Sequence, residues 1–292
     1  MFEGSNVALI TPFLPDGSLD EGALRKLVQW HETQGTACLV PTGTTGESAV
    51  LTHAEHARIL QIVVEESATR LPVIAGCGSN NIAEAIELHR MAKELGADAA
   101  LHVTGYYNRP SQEGIFRHFE ALDQVSDLPI IVYNIPPRTI VDIEVDTMVR
   151  LSNLEHVVGV KDATTESSRP CLEGLRIKRP FCFLSGEDAS AVAYNAAGGH
   201  GCISVTANVA PALCAQMQQA CMNNDFHLAM SIQSRLMPLH QSLFLEPSPA
   251  GVKYACALLG LCKAKTRLPM VELEESTKAK ISLAMQSLGL IG

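Results

Sequence analysis

The sequence predicts a (β/α)8 TIM barrel of the α/β class, followed by a C-terminal helical extension. Three observations predict it: a length of 292 residues, eight short apolar runs, and helical periodicity between those runs. Alternating strands and helices imply parallel pairing with right-handed crossovers, and eight such units close a barrel. An open doubly wound sheet is the alternative, although such sheets usually contain fewer strands.

The eight predicted strands lack internal polar alternation, which is typical of strands buried on both faces. They are Val7–Ile10, Cys38–Val40, Val73–Ala75, Ala99–Val103, Ile130–Tyr133, Val157–Lys161, Phe181–Leu184 and Cys202–Val205.

The segments between these strands have the pattern of amphipathic helices. In segments 24–31 and 115–122, the residues at i, i+3, i+4 and i+7 are apolar or histidine. Thr52–Glu55 has the form of a capping box that begins a helix, and Asn81–Glu84 is a looser version. Leu95-Gly96 and Ala197–Gly199 have the form of helix ends.

About seventy residues remain after the eighth unit. Met230–Leu239, Val252–Leu261 and Ile281–Leu288 have helical patterns. The sequence therefore predicts a barrel with the active site over residues 1–223, and an extension packed on it over residues 224–292 rather than a second domain.

The composition excludes several classes of protein. The chain has 22 basic and 31 acidic residues, which argues against nucleic-acid binding. It contains no apolar run of the ~20 residues that span a bilayer, and its N-terminus lacks a signal-peptide pattern. The nine cysteines are scattered, as expected of buried thiols in a reducing compartment. We expect a cytoplasmic protein that binds neither nucleic acid nor membrane.

Barrel active sites lie at the carboxyl ends of the strands, where Lys161 is the most informative residue. It follows an apolar strand, and burial favours the neutral amine. A neutral amine attacks carbonyl groups and forms a Schiff base. The alternative is a lysine at a strand end that simply reaches solvent.

Other candidates follow neighbouring strands. The loop Gly43–Gly46 suits a carboxylate or phosphate, but it is also a plausible plain turn. Tyr133 can act as a general acid or base, and Arg138 can bind a carboxylate bidentately; an ordinary strand tyrosine and a surface arginine are the alternatives. His53 and His56 share a helix face, but their H-A-E-H spacing does not match H-E-x-x-H, so no metal site is predicted.

Together these segments resemble the dihydrodipicolinate synthase family, within the pyruvate-dependent class I aldolases that include N-acetylneuraminate lyase. The resemblance covers essentially the whole chain. The matching motifs are Gly43–Ser48, Tyr106–Asn108, Tyr133–Thr139, Val160–Asp162 and Gly201–Val205.

The resemblance implies condensation of pyruvate with L-aspartate-4-semialdehyde, in the diaminopimelate route to lysine. Lys161 would form the Schiff base with pyruvate, and no metal or other cofactor would be needed. Tyr133 would move protons in a hydroxyl relay with Thr44 and Tyr107. In the family this Tyr107 reaches in from a neighbouring subunit, and the expected assembly is a homotetramer, a dimer of tight dimers.

The resemblance also implies the residues that bind substrates. Thr45 would hold the pyruvate carboxylate, and Gly186 and Ile203 would contribute main-chain contacts near it. Arg138 would bind the carboxylate of aspartate-4-semialdehyde. Sialic-acid lyases generally lack an arginine there, because their second substrate is a sugar.

A second, allosteric site for lysine is implied at the tight dimer interface. Glu84 would pair with the ammonium of the effector, and we expect feedback inhibition. The residues that match the lysine-sensitive pattern are Ser48, Ala49, His53, His56, Asn80, Glu84 and Tyr106.

Four positions depart from the family pattern. Pro137 replaces a small residue, and Gly105 stands where proline is common. Within Glu246–Lys253, Ser248 replaces an asparagine and Gly251 a proline. Because that segment lies near the site entrance in relatives, these departures bear on substrate affinity more than on reaction class.

Three alternative functions are open at this point. The first is another pyruvate aldolase that acts on a sugar acid, against which Arg138 argues. The second is a metal-dependent aldolase on a similar barrel. The third is a catalytically silent relative that senses a small metabolite.

Overall fold

The computed structural model describes residues 2–292 and contains eight parallel strands. The strands are β1 Gly4–Ala8, β2 Cys38–Val40, β3 Ile74–Gly76, β4 Ala99–Val103, β5 Ile130–Asn134, β6 Val157–Asp162, β7 Cys182–Ser185 and β8 Gly201–Ser204. The helices are α1 Glu21–Thr33, α2 His53–Ser67, α3 Ile82–Glu94, α4 Gln112–Asp123, α5 Pro136–Thr139, α6 Val145–Leu151, α7 Arg169–Gly174, α8 Ala191–Ala196, α9 Pro211–Met222, α10 Phe226–Ser242, α11 Ala250–Leu258 and α12 Glu275–Ser287.

The strands form a nearly closed barrel, which confirms the predicted fold. Their order is β2-β1-β8-β7-β6-β5-β4-β3. The two end strands meet through a parallel bridge between Leu39 and Val73. The backbone N–H of Gly76 also donates to the Pro41 carbonyl at 3.0 Å. All eight strand predictions are confirmed, with small shifts at their ends.

The largest shift is at β1, which was predicted to begin at Val7 and begins at Gly4. Ser5 and Asn6 are polar in sequence but buried in the structure. Asn6 Nδ2 donates to the Phe2 carbonyl at 2.8 Å, which helps to compensate its burial. A hydrophobicity pattern does not detect a strand that begins with such residues.

Alternate strand residues point to the two sides of the barrel wall. The interior is filled by an apolar cluster that includes Ala8, Val40, Leu101 and Leu184. On the outside, α1 buries Leu24, Leu27, Val28 and His31, as its periodicity predicts.

The predicted helix boundaries are confirmed where they rest on capping. Thr52 and Glu55 form the reciprocal capping box of α2. Asn81 caps α3 by accepting from the Ala83 N–H at 3.1 Å. Gly96 (φ +87°) and Gly198 (φ +108°) take up the left-handed conformation just beyond α3 and α8.

The last three helices share their core with the barrel. Ile232 and Leu236 of α10 and Ile281 of α12 belong to the same apolar cluster as Val7 and Leu39. The exact boundary at residue 223 stays a prediction. Within residues 2–292, no helix has both the length and the apolar character needed to cross a bilayer.

Candidate active site

Lys161 and Tyr133 lie side by side at the carboxyl ends of β6 and β5. The parallel register pairs the two residues directly, and Lys161 Nζ lies 4.2 Å from the centre of the Tyr133 ring. The side chains are nearly inaccessible, with exposures of 6% and 7%. The structure therefore places an amine beside a phenol in a site largely shielded from water.

Gly186, in the segment after β7, leaves room for the Lys161 side chain. A Cβ at this position would lie 3.2 Å from Lys161 Cε and 3.0 Å from Ala163 Cβ. The Gly186 N–H donates to the Asp162 carbonyl. Ile203 of β8 is buried in the interior cluster that also contains Tyr133. Lys161, Tyr133, Gly186 and Ile203 thus belong to one end of the barrel interior.

The loop after β2 is a tight turn that carries two threonines. Thr44 is exposed and Thr45 is buried. The Glu47 N–H donates to the Thr44 carbonyl at 3.1 Å, and Thr11 Oγ1 donates to the Gly46 carbonyl at 2.7 Å. A Cβ on Gly46 would lie only 3.0 Å from the Thr42 nitrogen. A side chain at this position would therefore press against the backbone of the turn.

Arg138 is held in the one-turn helix α5, which begins with Pro136 and Pro137. Proline suits the first turn of a helix because its φ is already helical. Arg138 is exposed and pairs with no carboxylate of residues 2–292 within the 4.0 Å limit for an ion pair. Its guanidinium is therefore available to bind a carboxylate from outside the chain.

A cavity of about 620 Å³ connects the turn, Arg138 and the predicted effector residues. Thr44 and Arg138 line it. Six of the seven residues predicted to bind lysine also line it: Ser48, Ala49, His53, His56, Glu84 and Tyr106. The seventh, Asn80, donates from Nδ2 to the Tyr106 carbonyl at 3.1 Å.

The electrostatics of this part of the cavity favour a cationic ligand. Hydrogen bonds from Ser79 and His53 lower the pKa of Glu84, and His53 Nε2 lies 3.0 Å from Glu84 Oε1. Burial lowers the pKa of His56 to about 4, and its Nε2 has no partner in the described chain. At neutral pH the group therefore holds a carboxylate beside an uncharged imidazole.

Tyr107 does not join Tyr133 inside its own protomer. Its side chain is 93% exposed, and its backbone has φ +69°, a conformation that few residues other than glycine adopt. The turn is closed by the Asn108 N–H, which donates to the Tyr106 carbonyl at 2.8 Å. The chain thus presents this tyrosine outward.

Sequence reasoning missed a buried ion pair close to the site. Lys253 Nζ lies 2.6 Å from Glu47 Oε1, and the two side chains are 0% and 2% exposed. Both residues stand in segments singled out from the sequence, Gly43–Ser48 and Glu246–Lys253. A separation of 206 residues leaves no periodic signal that would pair them.

A second charge cluster, most of it buried, includes Asp162, which follows Lys161 in the chain, and was also missed. Arg169 Nε lies 3.7 Å from Asp162 and 3.3 Å from Glu173, and Arg169 Nη1 lies 3.3 Å from Asp142. Burial raises the pKa of Glu173 to about 8, although Arg169 opposes the shift. The nearby carboxylates of Asp162 and Asp142 add to the effect of burial, and neither Glu173 oxygen has a hydrogen-bond partner in residues 2–292.

One departure from the family pattern has a steric reason. A Cβ on Gly251 would lie 2.5 Å from the Leu243 carbonyl oxygen. Glycine at this position lets α11 pack against the backbone that follows α10. Among residues 2–292, no group of three or more histidine, cysteine or acidic residues is arranged to hold a metal ion.

Comparisons with known proteins agree on one family over the whole chain. The sequence profile of the Dihydrodipicolinate synthetase family matches residues 1–288. A 4-hydroxy-tetrahydrodipicolinate synthase of Parvibaculum lavamentivorans is 58% identical over 291 residues, with 100% of both chains covered.

Two solved structures bear on ligands. The chloride-inhibited dihydrodipicolinate synthase of Acinetobacter baumannii, complexed with pyruvate, has a TM-score of 0.97 and 40% identity, and each chain is covered completely. The enzyme of Cyanidioschyzon merolae with lysine bound has a TM-score of 0.96 and 32% identity, with 99% of each chain covered.

Proposed function

The chain belongs to the Dihydrodipicolinate synthetase family, and from that premise we propose that it condenses pyruvate with L-aspartate-4-semialdehyde on Lys161. It is an enzyme, a lyase of 4-hydroxy-tetrahydrodipicolinate synthase type in lysine and diaminopimelate biosynthesis. The observation that carries the proposal is Lys161 beside Tyr133 in the buried end of the barrel. A pyruvate-bound relative of the same fold supports it.

The first half of the reaction forms the imine. The neutral Lys161 amine attacks the ketone carbon of pyruvate, and loss of water gives a Schiff base. Loss of a methyl proton then gives an enamine, a carbon nucleophile obtained without a metal. Tyr133 is placed to carry these protons because it is the direct cross-strand neighbour of Lys161.

The second half joins the two substrates. The enamine carbon attacks the aldehyde carbon, whose oxygen takes up a proton. The amine of the second substrate then displaces Lys161, the ring closes, and the enzyme amine is released. Thr44, Tyr133 and a Tyr107 from the neighbouring subunit form the proposed relay for these proton transfers.

Substrate binding divides between two sets of residues. Thr45, with main-chain groups near Gly186 and Ile203, holds the pyruvate carboxylate. Arg138 holds the carboxylate of the aldehyde, since its exposed guanidinium lines the same cavity as Thr44. A bidentate arginine suits a planar carboxylate better than it suits a sugar hydroxyl.

A substrate panel tests this assignment. We expect turnover of pyruvate with aspartate-4-semialdehyde and no comparable turnover with sugar aldehydes, and we expect EDTA to leave the rate unchanged. Faster reaction with a sugar aldehyde would favour the alternative, an aldolase of the N-acetylneuraminate lyase or 2-keto-3-deoxy sugar acid type. Loss of activity with EDTA would contradict the Schiff-base mechanism.

We further propose that lysine binds in the cavity at Glu84 and inhibits the enzyme. The carboxylate of Glu84 faces the same cavity as Thr44 and Arg138, and a relative of the same fold has lysine bound. We expect lysine to inhibit the wild type in the micromolar to millimolar range and to lose its effect in Glu84→Gln. Flat activity across that titration would remove the effector proposal.

The proposed assembly is a homotetramer of two tight dimers. The exposed Tyr107 supports an active site completed across the tight interface. The lysine site would lie at that same interface, where Tyr106 precedes Tyr107 in the chain.

A further inference from the structure

The buried pair of Lys253 and Glu47 ties the C-terminal extension to the active-site turn. Lys253 lies in α11, and Glu47 closes the turn after β2. Their side chains are withdrawn from water almost completely. An ion pair this deeply buried is weak support for stability, because desolvation of both charges offsets their attraction. Its position suggests a more specific role.

Glu47 is held at two points by residues of the extension. Its Oε1 accepts from Lys253 Nζ at 2.6 Å, and its Oε2 accepts from the Arg267 N–H at 2.9 Å. Its backbone has φ +58°, an uncommon conformation for this residue type. The extension therefore holds Glu47 in a conformation that an isolated turn would not favour.

Glu47 also helps to fix the backbone of Thr44 and Thr45, which precede it in the turn. The Glu47 N–H donates to the Thr44 carbonyl at 3.1 Å, and the Ser48 N–H donates to the Gly43 carbonyl at 3.2 Å. These two hydrogen bonds close the turn that contains Thr44 and Thr45. A change in the position of Glu47 would therefore be passed to both threonines through the backbone of the turn.

The anchor also includes the segment after β1. Lys253 Nζ lies 4.1 Å from the centre of the Phe13 ring, and Arg267 Cζ lies 4.2 Å from it. Arg267 donates to the Gly17 carbonyl at 2.7 Å and to the Val50 carbonyl at 3.0 Å. Three segments far apart in sequence thus meet around one aromatic ring.

Lys253 is not a second nucleophile. It is fully buried and already bonded to a carboxylate, so its amine is not accessible to a ketone. We infer that Lys253 is a positioning residue, which through Glu47 fixes the Thr44–Thr45 turn in the conformation that binds the pyruvate carboxylate. This inference rests on the proposed function, because it takes Thr45 as the pyruvate ligand.

The test uses the full-length enzyme and the variant Lys253→Met, which removes the charge and keeps an unbranched side chain. We expect kcat/KM for pyruvate to fall about tenfold or more, as for loss of one charge-assisted contact. Arg138 lies outside this anchor, so KM for the aldehyde should change by no more than about twofold, whereas kcat should fall because Thr44 belongs to the proposed relay. An exposed control in α12, Lys280→Met, should leave both values unchanged.

A double variant separates positioning from folding. Lys253→Met leaves the Glu47 charge buried without its cation, and Glu47→Gln/Lys253→Met removes that charge. We expect the double variant to regain much of the lost thermal stability without regaining affinity for pyruvate, because the anchor is still missing. The inference would be overturned if the double variant fully recovered both thermal stability and affinity for pyruvate. It would also be overturned by an unchanged kcat/KM for pyruvate in either variant.

Borohydride trapping keeps this inference distinct from the proposed function. If borohydride and pyruvate give a reduced adduct on the wild type, and Lys253→Met binds pyruvate as tightly as the wild type does, only the positioning role fails. If the wild type itself gives no reduced adduct, the proposed function fails, and the positioning role fails with it.

Discussion

At the residue scale, two buried lysines differ in their partners. Lys253 is bonded to the Glu47 carboxylate, which opposes the lowering of the Lys253 pKa by burial. Lys161 faces the Tyr133 ring, and no carboxylate oxygen of residues 2–292 lies within 4.0 Å of its Nζ. A carboxylate partner therefore distinguishes Lys253, the inferred anchor, from Lys161, the proposed nucleophile.

Arg138→Lys tests the proposed carboxylate fork. A lysine keeps the positive charge but not the planar pair of donors. We expect kcat/KM for the aldehyde to fall about 10- to 100-fold, equivalent to about 1.4–2.7 kcal/mol. Steady-state kinetics with each substrate varied in turn will show whether kcat/KM for pyruvate stays within about twofold. Equal losses for both substrates would argue against this role.

Glu173→Gln tests the buried carboxyl that lies beside Arg169. The folded protein raises the pKa of Glu173 to about 8, so between pH ~4.5 and 8 only the unfolded chain gives up the proton. Wild-type stability should therefore fall by about 1.4 kcal/mol per pH unit across that window from this group alone. Glutamine does not titrate, and its carbonyl can still accept from Arg169.

Denaturant unfolding at pH 5 and pH 7.5 measures the effect. Relative to the wild type, Glu173→Gln should gain stability at the higher pH. The control variant Glu94→Gln, at an exposed position, should have the same stability as the wild type at both pH values. If Glu173→Gln is less stable than the wild type by the same amount at both pH values, the Glu173 carboxyl is ionised in the folded protein.

At the scale of elements, β3 shapes the active-site turn by steric fit. A Cβ on Gly76 would lie 2.4 Å from the Thr42 carbonyl oxygen and 2.7 Å from the Gly43 nitrogen. Both are backbone atoms that cannot rotate away. We expect Gly76→Ala to destabilise the protein by about 1–3 kcal/mol and to weaken pyruvate binding, because the turn must shift.

Gly22→Ala is the matched control for that substitution. Gly22 lies in α1, and its added Cβ would meet only Asp20 Oδ1 at an ordinary 3.6 Å. Alanine favours a helix, so we expect a gain of about 0.5–1 kcal/mol. Thermal unfolding of both variants checks the pair. A Gly76→Ala protein as stable as Gly22→Ala would contradict the steric account.

The elements could be predicted from the sequence because burial leaves a local pattern. A strand buried on both faces is an apolar run, and α1 repeats its buried residues at helical spacing. The start of β1 was missed because Ser5 and Asn6 are polar yet buried. The candidate site followed from strand ends and family motifs.

Contacts between distant segments could not be predicted in the same way. The pairs Glu47–Lys253 and Asp142–Arg169 join segments whose local patterns say nothing about each other. Only the closed barrel and the packed extension bring these charges together. The outward direction of Tyr107 likewise depends on the fold of its turn, although the family resemblance implies a role for this residue.

At the scale of the whole molecule, the proposed site requires a second copy of the chain. Tyr107 is 93% exposed and is proposed to complete the partner's relay. Subunits with Lys161→Ala and subunits with Tyr107→Phe can be co-expressed to test this. If the tyrosine acts across the interface, each mixed dimer contains one intact site.

The two arrangements predict different activities. Random pairing makes half of the dimers mixed, so an interface-spanning site should restore about a quarter of wild-type activity. A tyrosine that acts within its own subunit restores none, because every site then lacks one of the two residues. Activity no higher than the mean of the separate variants would contradict the shared site.

The central claim is that Lys161 forms a Schiff base with pyruvate. Borohydride reduction in the presence of pyruvate, followed by peptide mass spectrometry, tests it most directly. We predict a reduced adduct on Lys161, none on Lys253, and none anywhere in Lys161→Arg. A folded wild-type protein that gives no adduct in excess pyruvate, or an adduct on another lysine, would contradict the account.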